Sequence, residues 1–180
     1  MRPSSLESGM LQRSRRQNNQ RAMMSILGWR QRSDIFWSVS MRTGKCLCGA
    51  CRYEIDGDPI VVAICYCTDC QRLSGAGHST GAMYSESGIR LFGDCATYVL
   101  QSEAGNTVTR LFCRTCGSPL FGKNSGMPGV MTVAMGTLDT SDGMLPQVEI
   151  FLRTRRDWDV PNPAIQSFDA QPDWKPEDGV

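Results

Sequence analysis

Nine cysteines stand in a chain of 180 residues. Eight of them fall into three short runs: C-L-C-G-A-C at 46–51, C-Y-C-T-D-C at 65–70 and C-R-T-C at 113–116. Thiolates at C-x-C and C-x-x-C spacing are the usual donors of soft metal sites, zinc first among them. A structural zinc closes with four protein ligands, whereas a catalytic zinc keeps three and leaves a position for water or substrate. The question posed by the sequence is therefore which cysteines share a metal, and whether any set is left open.

The first two runs both read C-x-C-x-x-C, but the residues that follow argue against equivalent sites. Cys48 precedes Gly49 and Cys116 precedes Gly117, and a chain turning back after a second ligand calls for the positive φ that glycine tolerates. Cys46, Cys48, Cys113 and Cys116 thus form two glycine-terminated knuckles facing one metal. Cys51 belongs instead to an alternating face with Tyr53 and Ile55, as a small core hydrophobe. Cys65, Cys67 and Cys70 remain as a three-thiolate set with an open fourth position. The competing readings are buried free thiols for the set of four and, for the set of three, a closed site completed by Cys51, Cys95 or His78, or a metal-free redox pair in Cys67-x-x-Cys70. Cys95 reads as a core or strand-edge thiol. His78, the single histidine, reads as exposed or supporting rather than ligating. Iron also suits four thiolates, but an open tri-thiolate favours zinc.

Short β-like runs must position these residues. ACRYEI (50–55) alternates, and IVVAIC (60–65) is continuously apolar, as a buried strand would be. Further runs at 89–92, 96–100, 107–112, 130–135 and 147–152 recur at spacings that predict an all-β domain. Residues 136–145 are turn-rich, with room for one helical turn. Prolines at 161, 163, 172 and 176 predict an extended end.

Length suits one domain. The formal net charge is +1, unevenly spread: +5 over residues 1–40 and −4 over 41–180. A patterned region of net −4 is a poor partner for nucleic acid. An odd cysteine count with no apolar leader argues against a secreted disulfide framework and for metal ligands in a reducing cytoplasm. No run reaches the length of a membrane span. Residues 1–40, rich in Arg, Ser and Gln, read as a disordered tail, a targeting peptide or upstream sequence read from an earlier start. The last is favoured because Met41 directly precedes the first patterned segment.

GKCLCGACRYEI, ICYCTDCQRLSGAG, TRLFCRTCGSPLF, PGVMTVAMGTLD and EIFLRTRRDWD with IQSFD together resemble the glutathione-dependent formaldehyde-activating (Gfa) family, which includes the centromere protein V-like domains. The resemblance spans about 41–170, with 171–180 as an extended tail. It implies a mainly β, zinc-stapled Mss4-like (β-tent) fold of short antiparallel strands and two zinc ions per chain. Cys46, Cys48, Cys113 and Cys116 then match the structural zinc ligands, and Cys65, Cys67 and Cys70 those of the catalytic zinc. It further implies a carbon–sulfur lyase, of the S-(hydroxymethyl)glutathione synthase type, joining glutathione or a similar thiol to formaldehyde or another small aldehyde. Zinc would deliver the thiol as thiolate. Tyr66, Ser74 or water would protonate the alkoxide. Arg72, Arg153, Arg155 and Arg156 are candidates to clamp the glutathione carboxylates. The family commonly has His where this chain has Tyr66, and an aliphatic residue where it has Cys51. The alternative reading is a non-catalytic zinc scaffold that binds another macromolecule.

Overall fold

The alternation around Tyr53 becomes a strand whose inward face is the anticipated one: Cys51, Tyr53 and Ile55 are all buried. The structure, a computed structural model, describes residues 41–173. The expectations for residues 1–40, and for 174–180 of the C-terminal tail, lie outside the described residues. In chain order the strands and one helix are β1 (Arg42–Lys45), β2 (Arg52–Ile55), β3 (Val61–Cys65), α1 (Thr68–Ser74), β4 (Ser79–Ser85), β5 (Ile89–Phe92), β6 (Cys95–Gln101), β7 (Thr107–Cys113), β8 (Pro119–Asn124), β9 (Val130–Ala134), β10 (Val148–Ile150) and β11 (Gln166–Ser167). A three-stranded sheet runs β1-β2-β5, and an eight-stranded sheet runs β11-β10-β3-β4-β9-β8-β7-β6. The architecture is mainly β, as expected. All pairings are antiparallel except those of β10, which lies parallel to both β3 and β11.

β3 is paired along both edges within the larger sheet and packed on both faces, so its sequence is apolar throughout. Val62 points into the main core with Tyr53, Ile55, Ala82, Tyr84, Leu120, Phe121 and Val133. Val61 and Ala63 point the other way, against Val148, Ile150 and Phe168. Tyr53 meets Phe121 edge-on, ring centroids 4.8 Å apart. Cys46, Cys51 and Cys113 belong to the same core, so the hydrophobic interior is assembled around thiols. β1, β4, β8 and α1 carry no signal strong enough to be anticipated. β4 reads STGAMYS and β8 opens on Pro119 and contains Gly122; their pairing partners, not their propensities, make them strands.

Candidate metal centre

The sulfurs of Cys46, Cys48, Cys113 and Cys116 lie within 4.8 Å of one another. Cys46 and Cys48 leave the end of β1, while Cys113 ends β7 and Cys116 follows it. Both turns end on a left-handed glycine: Gly49 and Gly117 hold φ of 76° and 73°, and their N–H groups donate to the carbonyls of Cys46 and Cys113. The Cys51 N–H donates to Cys46 Sγ at 3.2 Å. That bond lowers the Cys46 thiol below its ordinary value; Ser118 brings Cys116 down to about 5. Cys46–Cys48 and Cys48–Cys113 sulfurs are 3.5 and 3.8 Å apart. A tetrahedral zinc with sulfur at about 2.3 Å requires edges of about 3.8 Å, so the donor set fits.

Cys65, Cys67 and Cys70 also gather within 4.8 Å. Cys65 ends β3. Cys67 is the N-cap of α1, its sulfur accepting from the Cys70 N–H at 3.4 Å, and the first helical turn brings Cys70 back beneath it. Among the described residues no fourth His, Cys, Asp or Glu joins the set. His78 stands apart, its Nδ1 on Asp159 Oδ2 at 2.6 Å; Cys51 and Cys95 lie with the other cluster. The three thiols share charge unequally. Thiol hydrogen bonds from Cys65 and Cys67 hold Cys70 well below the ordinary thiol range, with help from Ser79 and Arg110. The same contacts with Cys67 and Cys70, then burial, push Cys65 up. Three sulfurs this close can all ionise only around a cation, and an all-sulfur set of this size suits zinc.

Arg110 was not anticipated. Its Nη2 lies 3.9 Å from Cys70 Sγ, reaching from β7 across Gly122, where a Cβ would come within 2.7 Å of Nη1. The sequence signal is a charge two residues from the buried Val108 in a strand that otherwise carries none. The anticipated arginines are already engaged. Arg72 pairs with Asp69 at 3.8 Å and Arg153 with Glu103. Arg155 donates to the carbonyls of Arg156 and Asp159, and Arg156 Nε donates to Gln71 Oε1 at 2.8 Å.

Behind the three cysteines lies a buried polar network. The Tyr66 hydroxyl donates to Glu149 Oε1 at 3.0 Å, and both residues are 1 % exposed. Glu149 also accepts from the Asn162 N–H and the Ser167 hydroxyl, so its carboxylate is saturated though buried. Gln71 Nε2 donates to the carbonyls of Tyr66 and Thr154. Phe151, at φ 62°, reverses the chain after β10, bringing Thr154 and Arg156 to Gln71. The Ser74 hydroxyl donates to the His78 carbonyl at 2.8 Å.

A small mainly β fold carrying two separate cysteine clusters, one of four and one of three, defines a cysteine-clustered β protein of the Mss4-like kind. The pattern of the glutathione-dependent formaldehyde-activating enzyme family matches residues 41–154, and the chain belongs to that family. No curated protein matches it significantly. A crystal structure of a Rhodobacter sphaeroides protein is similar at 21 % identity over 56 % of this chain and 91 % of that one, with a TM-score of 0.46. No helix among the described residues is long and apolar enough to cross a membrane.

Proposed function

We propose that this chain is a cytoplasmic zinc-dependent carbon–sulfur lyase. It adds glutathione, or a similar thiol, to formaldehyde or another small aldehyde. The three-cysteine set carries this reading, because its sulfurs are gathered without a fourth protein donor among the described residues. Cys65, Cys67 and Cys70 would hold the catalytic zinc, and Cys46, Cys48, Cys113 and Cys116 the structural one, two per chain within a domain of 41–170. Bound zinc supplies a site where a substrate thiol is held as thiolate at neutral pH.

The chain's own residues set the remaining terms. Addition joins sulfur to the carbonyl carbon; the thiol gives up its proton and the new alkoxide oxygen takes one. Tyr66 is buried against Glu149, and its hydroxyl is held above the ordinary tyrosine range by burial and that bond. Ser74 bridges the end of α1 to His78. These contacts favour water as the proton source. Arg110 offsets part of the thiolate charge at Cys70. Arg72 and Arg153 sit in exposed surface pairs that a glutathione carboxylate could replace.

Metal content and exchange NMR with labelled formaldehyde and glutathione test this. We expect two zinc ions per full-length chain, acceleration of adduct formation, and loss of one zinc together with the acceleration in Cys67→Ser. One zinc, no acceleration and no effect of Cys67→Ser would overturn the proposal in favour of a scaffold.

A further inference from the structure

Two cysteines belong to neither cluster, and they touch. Cys95 Sγ lies 3.1 Å from Cys51 Sγ, although the residues are 44 positions apart. Cys51 is fully buried just before β2 of the smaller sheet; Cys95 is half-buried at the start of β6, the edge strand of the larger one. The approach is fixed by backbone: at Gly93, φ 100°, a Cβ would fall 2.1 Å from the Ala50 carbonyl oxygen. Both thiols flank the four-cysteine set, since the Cys51 N–H bonds Cys46 Sγ and Cys95 pairs across the ladder with Cys113. A disulfide needs sulfurs at about 2.05 Å, a closure of about 1 Å from the observed contact.

We propose that Cys51 and Cys95 form a reversible disulfide, a second staple between the two sheets that does not depend on metal. Cys95, the more accessible thiol, meets the oxidant, hydrogen peroxide. Its sulfur takes one peroxide oxygen as the O–O bond breaks, giving a sulfenic acid and water. The Cys51 sulfur then attacks the Cys95 sulfur, expelling the second oxygen as water. Two thiols lose two electrons and two protons, and one hydrogen peroxide becomes two waters. A thiol reductant reverses the link by exchange. Its use lies in its place: it joins the knuckle that carries Cys46 and Cys48 to the strand paired with Cys113, so the two halves of the cluster stay together when metal is withdrawn.

The test uses the full-length zinc-loaded chain treated with limiting hydrogen peroxide, then denatured, chelated, alkylated and digested with trypsin. Peptides 46–52 and 91–110 should be joined, lighter than the sum of the free peptides by roughly 2 Da. Fragmentation should place the bond between Cys51 and Cys95, and dithiothreitol should release it. Cys95→Ser and Cys51→Val, the latter an aliphatic replacement suited to the core, should each abolish the link while retaining both zinc ions. Under excess chelator the oxidised chain should keep its near-UV signal about tenfold longer than the reduced chain, as an intact cross-link would impose. Recovery of Cys51 and Cys95 as alkylated thiols, or bonds from either to Cys46 or Cys113 instead, would overturn the proposal. Equal survival under chelator would overturn the staple role.

Discussion

Removing one oxygen atom, in Tyr66→Phe, is the most discriminating change the structure offers. The lost atom donates to Glu149 Oε1 at 3.0 Å, in a site where donor and acceptor are each 1 % exposed. A hydrogen bond to a charged group contributes about 1.5–3 kcal/mol. Oε1 keeps the Asn162 N–H at 3.0 Å, so the carboxylate is weakened rather than orphaned. The phenyl ring still fills its place, and no cavity cost is added. The expected loss is about 2 kcal/mol, or about 8 °C in the melting temperature of a domain of this size. Glu149→Gln retains a carbonyl oxygen for Tyr66 and an amide for the Ser167 hydroxyl, so it should cost less, about 1 kcal/mol. Combined, the two changes should show a coupling of about 1 kcal/mol or more. Zinc-loaded protein unfolded by urea at neutral pH is the assay, with metal content checked before each run. A Tyr66→Phe protein within about 0.5 kcal/mol of the parent, or strict additivity in the cycle, would refute the reasoning.

Arg110→Met should weaken zinc at the three-cysteine set about fivefold, the effect of losing a half-buried cation 3.9 Å from Cys70 Sγ, and Gly122→Ala should imitate it by displacing the guanidinium; dye-competition titrations that match the parent would contradict this. Gln71→Leu should cost about 2–4 kcal/mol in thermal or urea unfolding, because it strips partners from the buried carbonyls of Tyr66 and Thr154. Alkaline titration followed at 295 nm should show Tyr53, Tyr66 and Tyr84 ionising late, since burial raises all three and brings Tyr53 to about 12. Because these folded-state values lie above the unfolded value of about 10, the stability they contribute is complete below that pH and is lost as pH rises towards 12. Unfolding curves flat across that window would exclude the effect.

Local chemistry made much of the site legible. Gly49 and Gly117 marked the knuckles because positive φ has few other tenants, and the alternation of Cys51, Tyr53 and Ile55 fixed one face of β2. The continuous run 60–65 gave β3 for the same reason in reverse, as a strand covered on both faces. What could not be read was carried by distant residues. Glu149 is 83 positions from Tyr66 and looks, in sequence, like any charge in a strand. Arg110 becomes a partner of Cys70 only through a ladder of paired strands. The contact between Cys51 and Cys95 depends on how two sheets abut. The arginines near 155 suggested an anion clamp by proximity alone; the structure adds that Arg155 donates to the Asp159 carbonyl and the exposed Arg156 to Gln71.

The two thiol sets also differ in when they can exist. Cys65, Cys67 and Cys70 are neighbours along the chain and need little more than the first turn of α1 to meet. Cys48 must wait for Cys113, 65 residues later, and the loop between them carries an entropy cost that the short set escapes. On a growing chain the triad can therefore capture metal while the quartet is still half synthesised. If both sets hold zinc as proposed, a chain made under zinc scarcity would fill the three-cysteine set first and the four-cysteine set last.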